Sequence, residues 1–229
     1  MEMTMYDTLL QLPLFQGLGK NDFTSILDKV RIHFTKHKAG EVILRKGQKC
    51  NELVFLLNGN LVSETQDREY LYTLYEVINA PYLMEPYSLF GWRTEYVSTY
   101  TTQTDTNLVT IDKSDLLAEL SNYEIIRLNY LNLLSNRVQN LNERLWTNLA
   151  DSIEYRIVDF VLLHSSIPVG EKRLKIKMDD FAKLLSSTRI RVSKVLNDMQ
   201  DKKWITLHRG EIRIPEIALL KEYRETRKL

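Results

Sequence analysis

The chain has 229 residues, of which 44% are hydrophobic and 27% charged. This composition is typical of a globular protein, and the length allows two domains. No segment approaches the ~20 consecutive apolar residues of a membrane span, and the amino-terminal stretch lacks the basic region of a secretory signal. One cysteine, Cys50, allows neither an internal disulfide nor a four-cysteine cluster. We therefore expect a cytoplasmic protein that does not insert into a membrane.

The net charge of +1 is unevenly distributed along the chain. Residues 151–229 carry 17 Lys and Arg against 12 Asp and Glu, whereas residues 1–150 carry 14 against 18. A basic carboxyl-terminal third in a nearly neutral protein favours a local surface for a polyanion such as DNA. Chance unevenness is the alternative, so the charge alone does not decide the function.

Short segments rich in Val, Ile, Tyr and Thr fill the region from Arg31 to Ile111. Such segments, separated by turn residues, predict several β-strands in a small sandwich or barrel. Asn58-Gly59 lies between two of them, and because both residue types tolerate positive φ, we expect a β-hairpin there. His33 and His37 have the spacing of metal ligands on a helix, but this stretch is predicted as strand or loop, so we expect no metal site.

A long helix is predicted next, because residues 122–150 contain neither Gly nor Pro. Its apolar residues recur at alternating spacings of three and four, which is the pattern of a coiled-coil seam. One small barrel would not cover a helix of this length, so we expect the seam to join two copies in a homodimer. A single helix packed on its own barrel is the alternative. The predicted seam consists of Leu131, Leu134, Val138, Leu141 and Leu145.

The carboxyl-terminal third has the element order of a winged helix-turn-helix. Residues 153–164 predict an amphipathic helix, and the alternating RLKIKM predicts a strand. Residues 179–186 and 188–202 predict a pair of helices, joined by a turn of three hydroxylated residues that also supplies a helix cap. WITLHRGEIRIP predicts two short strands around an Arg-Gly turn, which would form the wing.

The second helix of this pair has an apolar face and a polar face. On a helical wheel of about 100° per residue the apolar stripe consists of Val192, Val195, Leu196 and Met199. Ile190 lies on the opposite face, where an apolar side chain has no role if that face stays in water. In the major groove it would contact a thymine methyl group while Arg189 reaches a guanine edge. The alternative is an ordinary helical hairpin with a charged outer face. The residues expected to contact DNA are Lys177, Ser187, Thr188, Arg189, Ile190, Arg191, Ser193, Lys194 and Arg209.

A family resemblance covers nearly the whole chain. The segments KAGEVILRKGQKCNELVFLLNGNLV, SLFG and YVSTYTTQTDTNLVTI resemble the sensor half of the Crp–Fnr family of bacterial transcription regulators. The segment RLKIKMDDFAKLLSSTRIRVSKVLNDMQDKKWITLHRGEIRI resembles the DNA-binding half of that family. The resemblance implies an α+β fold with an amino-terminal β jelly-roll of the cyclic-nucleotide-binding type, a long dimerisation helix and a carboxyl-terminal winged helix-turn-helix. It also implies activation or repression of promoters through contact with RNA polymerase. A homodimer of this kind would bind a pseudo-palindromic operator in double-stranded DNA.

The recognition helix departs from the family pattern at one informative position. Ile190 stands where the family commonly has a Glu, whose carboxylate would accept a hydrogen bond from cytosine N4. We therefore expect an altered half-site. In the preceding turn Ser186 replaces a glycine, which implies mild backbone strain.

The sensor half departs further from the family pattern. Tyr96 and Val97 stand where cyclic-AMP-binding members have the Arg-Ser or Arg-Thr pair that holds the cyclic phosphate, and burying a phosphate without a guanidinium is costly. Leu141 and Asn142 replace the hydroxyl pair that reaches the nucleotide base. We therefore expect no response to cyclic AMP and leave the identity of any small-molecule effector open. The candidate pocket residues are Glu85, Arg93, Tyr96, Val97, Arg137, Leu141 and Asn142.

No phosphate-binding glycine loop, catalytic acid pair or nucleophile motif is present, so we expect neither enzyme activity nor a metal or haem cofactor. The predicted domains are an effector-sensing domain over residues 1–121, a dimerisation helix over 122–150 and a DNA-binding domain over 151–229. The predicted function is sequence-specific transcription regulation. The competing hypothesis is a small-molecule-binding regulatory protein whose carboxyl-terminal domain docks a protein partner instead of DNA.

Overall fold

The computed structural model describes residues 9–69, 71–145 and 152–225. The chain divides into two compact units, one formed by residues 1–61 and 79–140 and the other by residues 62–78 and 141–229. The segment 62–78 thus belongs to the same unit as the carboxyl-terminal third. The domain boundaries drawn from the sequence remain a prediction, and residues 146–151, where two of them meet, lie outside the described residues.

The described residues contain eleven strands and seven α-helices of six residues or more. The strands are β1 (Ile32–His37), β2 (Val42–Leu44), β3 (Glu52–Asn58), β4 (Asn60–Gln66), β5 (Tyr72–Asn79), β6 (Tyr82–Met84), β7 (Thr99–Thr102), β8 (Thr106–Asp112), β9 (Lys172–Ile176), β10 (Thr206–His208) and β11 (Glu211–Ile214). The helices are α1 (Lys20–Leu27), α2 (Lys113–Ala118), α3 (Glu124–Leu145), α4 (Ile153–His164), α5 (Met178–Leu184), α6 (Arg189–Asp201) and α7 (Ile217–Glu225).

The first unit is built on an antiparallel sheet in the order β1-β8-β3-β6, with β2 paired to β7. The central strand β3 is rich in large apolar residues, and four consecutive positions in it are buried. Phe55 of this strand packs against Phe15, and Phe15 in turn meets Phe23 of α1, with ring centroids 6.0 and 5.4 Å apart. Aromatic burial thus fastens the amino-terminal helix to the sheet.

The connection at Asn58-Gly59 is not a β-hairpin, and the prediction of one there is wrong. Strand β3 pairs with β8 and β6 in this first sheet, whereas β4 belongs to a second sheet, in which it lies beside β5. Gly59 has a φ of 85°, and a Cβ added to it would lie 2.7 Å from the Asp105 carbonyl oxygen. The glycine is therefore needed where the chain passes close to the residues before β8, at a change of sheet.

Helix α3 has 22 residues and is about 33 Å long at ~1.5 Å per residue. Ile126 is buried on one side of the helix, and the Tyr130 hydroxyl donates a hydrogen bond to the Pro86 carbonyl oxygen at 2.7 Å. On another side, Leu131 and Val138 expose 57% and 64% of their surface. The helix therefore covers part of its own unit and still presents a row of apolar side chains outward.

The second unit contains a sheet in the order β10-β11-β9-β5-β4, backed by helices α4 to α7. Strand β5 pairs with β9 over five residues, from Tyr72 opposite Ile176 to Glu76 opposite Lys172. The strand, helix pair and wing hairpin occur in the predicted order, and Gly210 turns the hairpin with a φ of 73°. The predicted α+β class, with an amino-terminal β domain, a long helix and a carboxyl-terminal winged helix-turn-helix, is confirmed.

A fully buried ion pair joins β5 to β9. The Lys172 Nζ lies 3.3 Å from Glu76 Oε1, and neither side chain is exposed to solvent. The Glu76 carboxylate also accepts hydrogen bonds from the backbone N–H groups of Ser166 and Ile167, each at 3.0 or 3.1 Å, while Lys172 donates to the Val169 carbonyl oxygen. Burial lowers the pKa of Lys172, and the Glu76 carboxylate opposes that decrease. A charge buried this deeply is tolerated only with its partner in place.

We predict that Glu76→Gln lowers the free energy of unfolding of the second unit by about 3–5 kcal/mol, because Lys172 is left as an unpaired buried charge. Urea unfolding followed by circular dichroism and tryptophan fluorescence measures the change. The matched control is the double variant Glu76→Gln, Lys172→Met, which removes the charge and keeps a similar volume. It should recover a large part of the loss, and an unchanged urea midpoint in the single variant would contradict the argument.

Candidate nucleic-acid interface

Helices α5 and α6 form a helix-turn-helix whose turn runs from Leu185 to Thr188. The Ser187 N–H donates to the Ala182 carbonyl oxygen at 2.9 Å, and the Ser186 N–H donates to that of Lys183 at 3.0 Å. Ser186 has a φ of 48°, in the left-handed region, which confirms the mild strain expected where serine replaces glycine. The hydroxyl of Thr188 caps α6 by accepting a hydrogen bond from the Arg191 N–H at 3.4 Å, as predicted.

Burial of one face fixes the orientation of α6. Val192, Leu196 and Met199 are completely buried, and Val195 is partly buried beside them. The facing helix α5 contributes Phe181 and Ala182, where the small alanine allows a close crossing. The predicted apolar stripe is therefore the stripe observed, and the residues on the other side of α6 face outward.

Arg156 of α4 forms hydrogen bonds with the backbone of the turn, a role that no pattern in the sequence indicates. Its Nη1 donates to the carbonyl oxygens of Leu185 and Ser186, at 2.7 and 3.3 Å. These carbonyls belong to the end of α5, where backbone acceptors lack partners within the helix. Because Arg156 is 30 residues away from the turn, no local pattern marks it.

The outer face of α6 matches the predicted arrangement. Ile190 exposes 82% of its surface, more than any other leucine, isoleucine or valine among the described residues. Lys194 lies one turn further along the helix, on the same face as Ile190. Of the residues expected to contact DNA, the exposed ones are Lys177, Thr188, Arg189, Ile190, Arg191, Lys194 and Arg209, and the half-buried ones are Ser187 and Ser193.

An exposed ion pair links the first turns of the two helices. The Arg189 Nη1 lies 3.4 Å from Asp179 Oδ2, and both side chains are about two-thirds exposed. A surface pair of this kind is worth at most about 1 kcal/mol. The pair therefore favours one position of the Arg189 guanidinium, and breaking it costs little free energy.

Two of the predicted pocket residues, Glu85 and Tyr96, are buried in the first unit. The Tyr96 hydroxyl donates to the Glu52 carbonyl oxygen at 3.3 Å, and burial raises the pKa of this tyrosine well above its ordinary value. Val97 and Arg93 are exposed, and Arg137 lies over the ring of Tyr87, 5.3 Å from its centroid. The two remaining candidates, Leu141 and Asn142, are exposed residues of α3 in the second unit. A pocket made by these seven residues remains a prediction.

The seam predicted on α3 is described for four of its five residues. Leu131, Val138 and Leu141 are exposed and Leu134 is half-buried, whereas the side chain of Leu145 lies outside the described part of the chain. Within residues 9–69, 71–145 and 152–225, no three His, Cys, Asp or Glu side chains are placed to hold a metal ion. None of the described helices is both long and apolar enough to span a bilayer.

Comparison with known proteins identifies the carboxyl-terminal element. Residues 155–223 match the family model of the Crp-like helix-turn-helix domain. The fold is similar to that of the catabolite activator protein of Thermus thermophilus, with a TM-score of 0.52 and 20% identity over 93% of this chain and 99% of that one. It is also similar to that of the c-di-GMP responsive global regulator CLP of Xanthomonas campestris, with a TM-score of 0.50 and 15% identity over 86% and 99%. No curated protein sequence matches this chain.

Proposed function

From the premise that this chain carries a Crp-like helix-turn-helix over residues 155–223 and has the fold of Crp–Fnr regulators, we propose that it is a sequence-specific DNA-binding transcription regulator. The observation that carries the proposal is the outward face of α6, where an exposed isoleucine stands among Arg189, Arg191 and Lys194. A face that only met water or its own domain would gain nothing from this isoleucine. The bottom of the major groove offers both thymine methyl groups and polar base edges.

Base reading divides between two neighbouring residues at the amino end of α6. Arg189 would donate two hydrogen bonds to guanine O6 and N7, the commonest specific contact in protein–DNA complexes. Ile190 would pack on the methyl group of a thymine. Because no carboxylate stands at that position, a cytosine would find no acceptor for its N4 amino group.

The remaining candidate contacts are suited to the phosphates on either side of the groove. Lys177 and Thr188 occupy the two amino-terminal cap positions, and Arg209 lies at the tip of the wing. Contacts of this kind set the position of the protein on the duplex without reading sequence. They would also make binding strongly dependent on salt concentration.

We further propose that the chain works as a homodimer joined through α3. The exposed Leu131, Val138 and Leu141 repeat with coiled-coil spacing, and coiled-coil seams bury such residues against a second helix. A twofold dimer would present two copies of α6, so the operator should be a pseudo-palindrome with half-site centres about one helical turn apart. The proposal includes a cytoplasmic location, action by binding and not by catalysis, and contact with RNA polymerase as the family resemblance implies.

Arg189 gives a test of the proposed base reading. Selection from a random duplex library would define the operator, and Arg189→Ala should then weaken binding by ~1–3 kcal/mol, about 5- to 150-fold, while relaxing preference at one base position per half-site. Fluorescence anisotropy at fixed salt measures the affinity. Lys221→Ala on α7 is the matched control, since it removes one exposed cation of the same unit away from the helix pair. Equal operator binding by Arg189→Ala and wild type would show that α6 is not the reading helix.

The partner of Arg189 gives a prediction of opposite sign. Asp179→Asn should strengthen operator binding by up to about fivefold, because it releases the guanidinium and removes a negative charge beside the DNA. Asp180→Asn is the control: it removes the same charge from the same helical turn, but Asp180 pairs with Lys183 instead. If both variants bind DNA equally well, the effect is one of general charge and the Asp179–Arg189 pair has no special part in it.

The proposed dimer gives a further test, at the centre of the seam on α3. Val138→Asp should convert the protein from a dimer to a monomer of 27.0 kDa, because an aspartate at the centre of an apolar seam would be buried without a partner. Size-exclusion chromatography with light scattering measures the mass. Asn132→Asp adds the same charge at another exposed position of α3 and should leave the dimer intact. A wild-type protein that runs as a monomer at micromolar concentration would refute the proposed interface.

A further inference from the structure

Glu85 is a buried carboxylate in the first unit that the proposed DNA contacts do not use. It follows β6 directly and precedes the short 3₁₀ turn Pro86–Ser88, and only 1% of its surface is exposed. Its φ is 38°, in the left-handed region that costs a residue with a Cβ roughly 1–2 kcal/mol. The surrounding contacts must therefore hold this residue in place.

Four hydrogen-bond donors converge on the two carboxylate oxygens. Oε2 accepts from the Val97 N–H at 2.8 Å and from the Ser88 hydroxyl at 3.0 Å. Oε1 accepts from the Ser98 N–H at 3.0 Å and from the Tyr100 hydroxyl at 3.0 Å. Two successive backbone N–H groups that point at one anion form the concave arrangement by which proteins bind phosphate and other oxyanions.

Dipoles alone balance this charge. Among the described residues, no Lys, Arg or His nitrogen lies within ion-pairing distance of Glu85. Burial, and then the carboxylate itself, raise the pKa of Tyr100 well above its ordinary value, so its hydroxyl remains a donor at neutral pH. Backbone N–H and hydroxyl donors of this type also form hydrogen bonds with other oxyanions.

We propose that Glu85 is a built-in ligand: its carboxylate occupies an oxyanion-binding site made by Ser88, Val97, Ser98 and Tyr100. The first unit then reaches its folded arrangement without an external anion. Shortening residue 85 should leave a site that accepts a small carboxylate such as formate or acetate. These donors lie close to the protein surface, because the side chain of Val97, whose N–H is one of them, is 48% exposed.

A regulatory consequence follows, and this part rests on the proposed function. If the anion position is already filled, an anionic effector finds no vacant donors among Ser88, Val97, Ser98 and Tyr100. Operator binding should therefore be equally strong with and without added cyclic AMP or inorganic phosphate.

The direct test is chemical rescue of Glu85→Ala. We expect this variant to have a lower Tm than wild type, and formate to raise its Tm saturably with half-saturation in the millimolar range. Wild type should show no saturable response when sodium chloride keeps the ionic strength constant. Glu85→Gln is the matched control, because its side chain still fills the space; it should lose stability and gain nothing from formate.

A second variant tests the donors themselves. Adding Tyr100→Phe to Glu85→Ala removes one donor to the anion and should weaken the formate response roughly tenfold. An equal formate response in wild type and Glu85→Ala would overturn the proposal, as would a Tm for Glu85→Ala equal to that of wild type. If Glu85→Ala does not fold, titration of wild type with cyclic AMP and with inorganic phosphate, followed by tryptophan fluorescence, decides the question. Saturable binding of either anion in the first unit would refute occupancy by Glu85.

The two levels of the proposal fail separately. Rescue by formate together with operator binding that requires cyclic AMP would keep the built-in anion and refute its regulatory consequence. Rescue by formate in a protein that binds no operator would refute the proposed function and leave the built-in anion standing.

Discussion

Burial of the apolar stripe on α6 is the constraint on which the proposed function of this protein depends. Val192, Leu196 and Met199 contribute to the same core as the buried faces of α4, α5 and the sheet, and each of these side chains is worth about 1.5–3 kcal/mol when it leaves water. That burial sets the rotation of α6 about its axis. Since positions two residues before Val192 and two residues after it point roughly the opposite way, Ile190 and Lys194 face outward as a direct consequence.

The position of α6 needs support beyond packing, and polar contacts supply it. Arg156 binds the carbonyls at the end of α5, and the Gln200 side chain accepts a hydrogen bond from the Leu207 N–H at 2.8 Å, which ties α6 to the wing. The wing strands continue through β9 to β5, where the buried Glu76–Lys172 pair lies. Helix α6 is therefore one end of a continuous set of contacts within the second unit, and the other end is the segment of residues 62–78.

Two buried glutamates show how differently the chain stabilises a negative charge. Glu76 faces a lysine and two backbone N–H groups, so replacing the lysine or the glutamate alone leaves a charge without a partner. Glu85 faces only neutral donors, so its site stays suitable for any other oxyanion when the side chain is removed. A buried pair of opposite charges is stable only when both side chains are present. A set of converging neutral donors can instead bind any small anion that fits between them. For this reason we assign a structural role to the Glu76–Lys172 pair and an anion-binding role to the donors around Glu85.

Local periodicity in the sequence was enough to predict α4, α6 and the wing to within about one to three residues, because each of these elements buries one face and exposes the other. The outward position of Ile190 follows from the same periodicity.

The connection at Asn58-Gly59 could not be predicted from the sequence, because the residue types that permit a hairpin also permit a change of sheet. Only the close approach of Asp105 distinguishes the two. Arg156, Glu76 and the Asp179–Arg189 pair depend on partners 10 to 96 residues away, which no local pattern encodes. The scaffold that orients α6 is similar to the Crp-like helix-turn-helix domain, whereas Ile190 stands where the family resemblance implies a Glu. Burial in the core decides how α6 is oriented, whereas its exposed face presents Ile190. Under the proposed function, a substitution at Ile190 would therefore alter the preferred half-site at little cost to the stability of the fold.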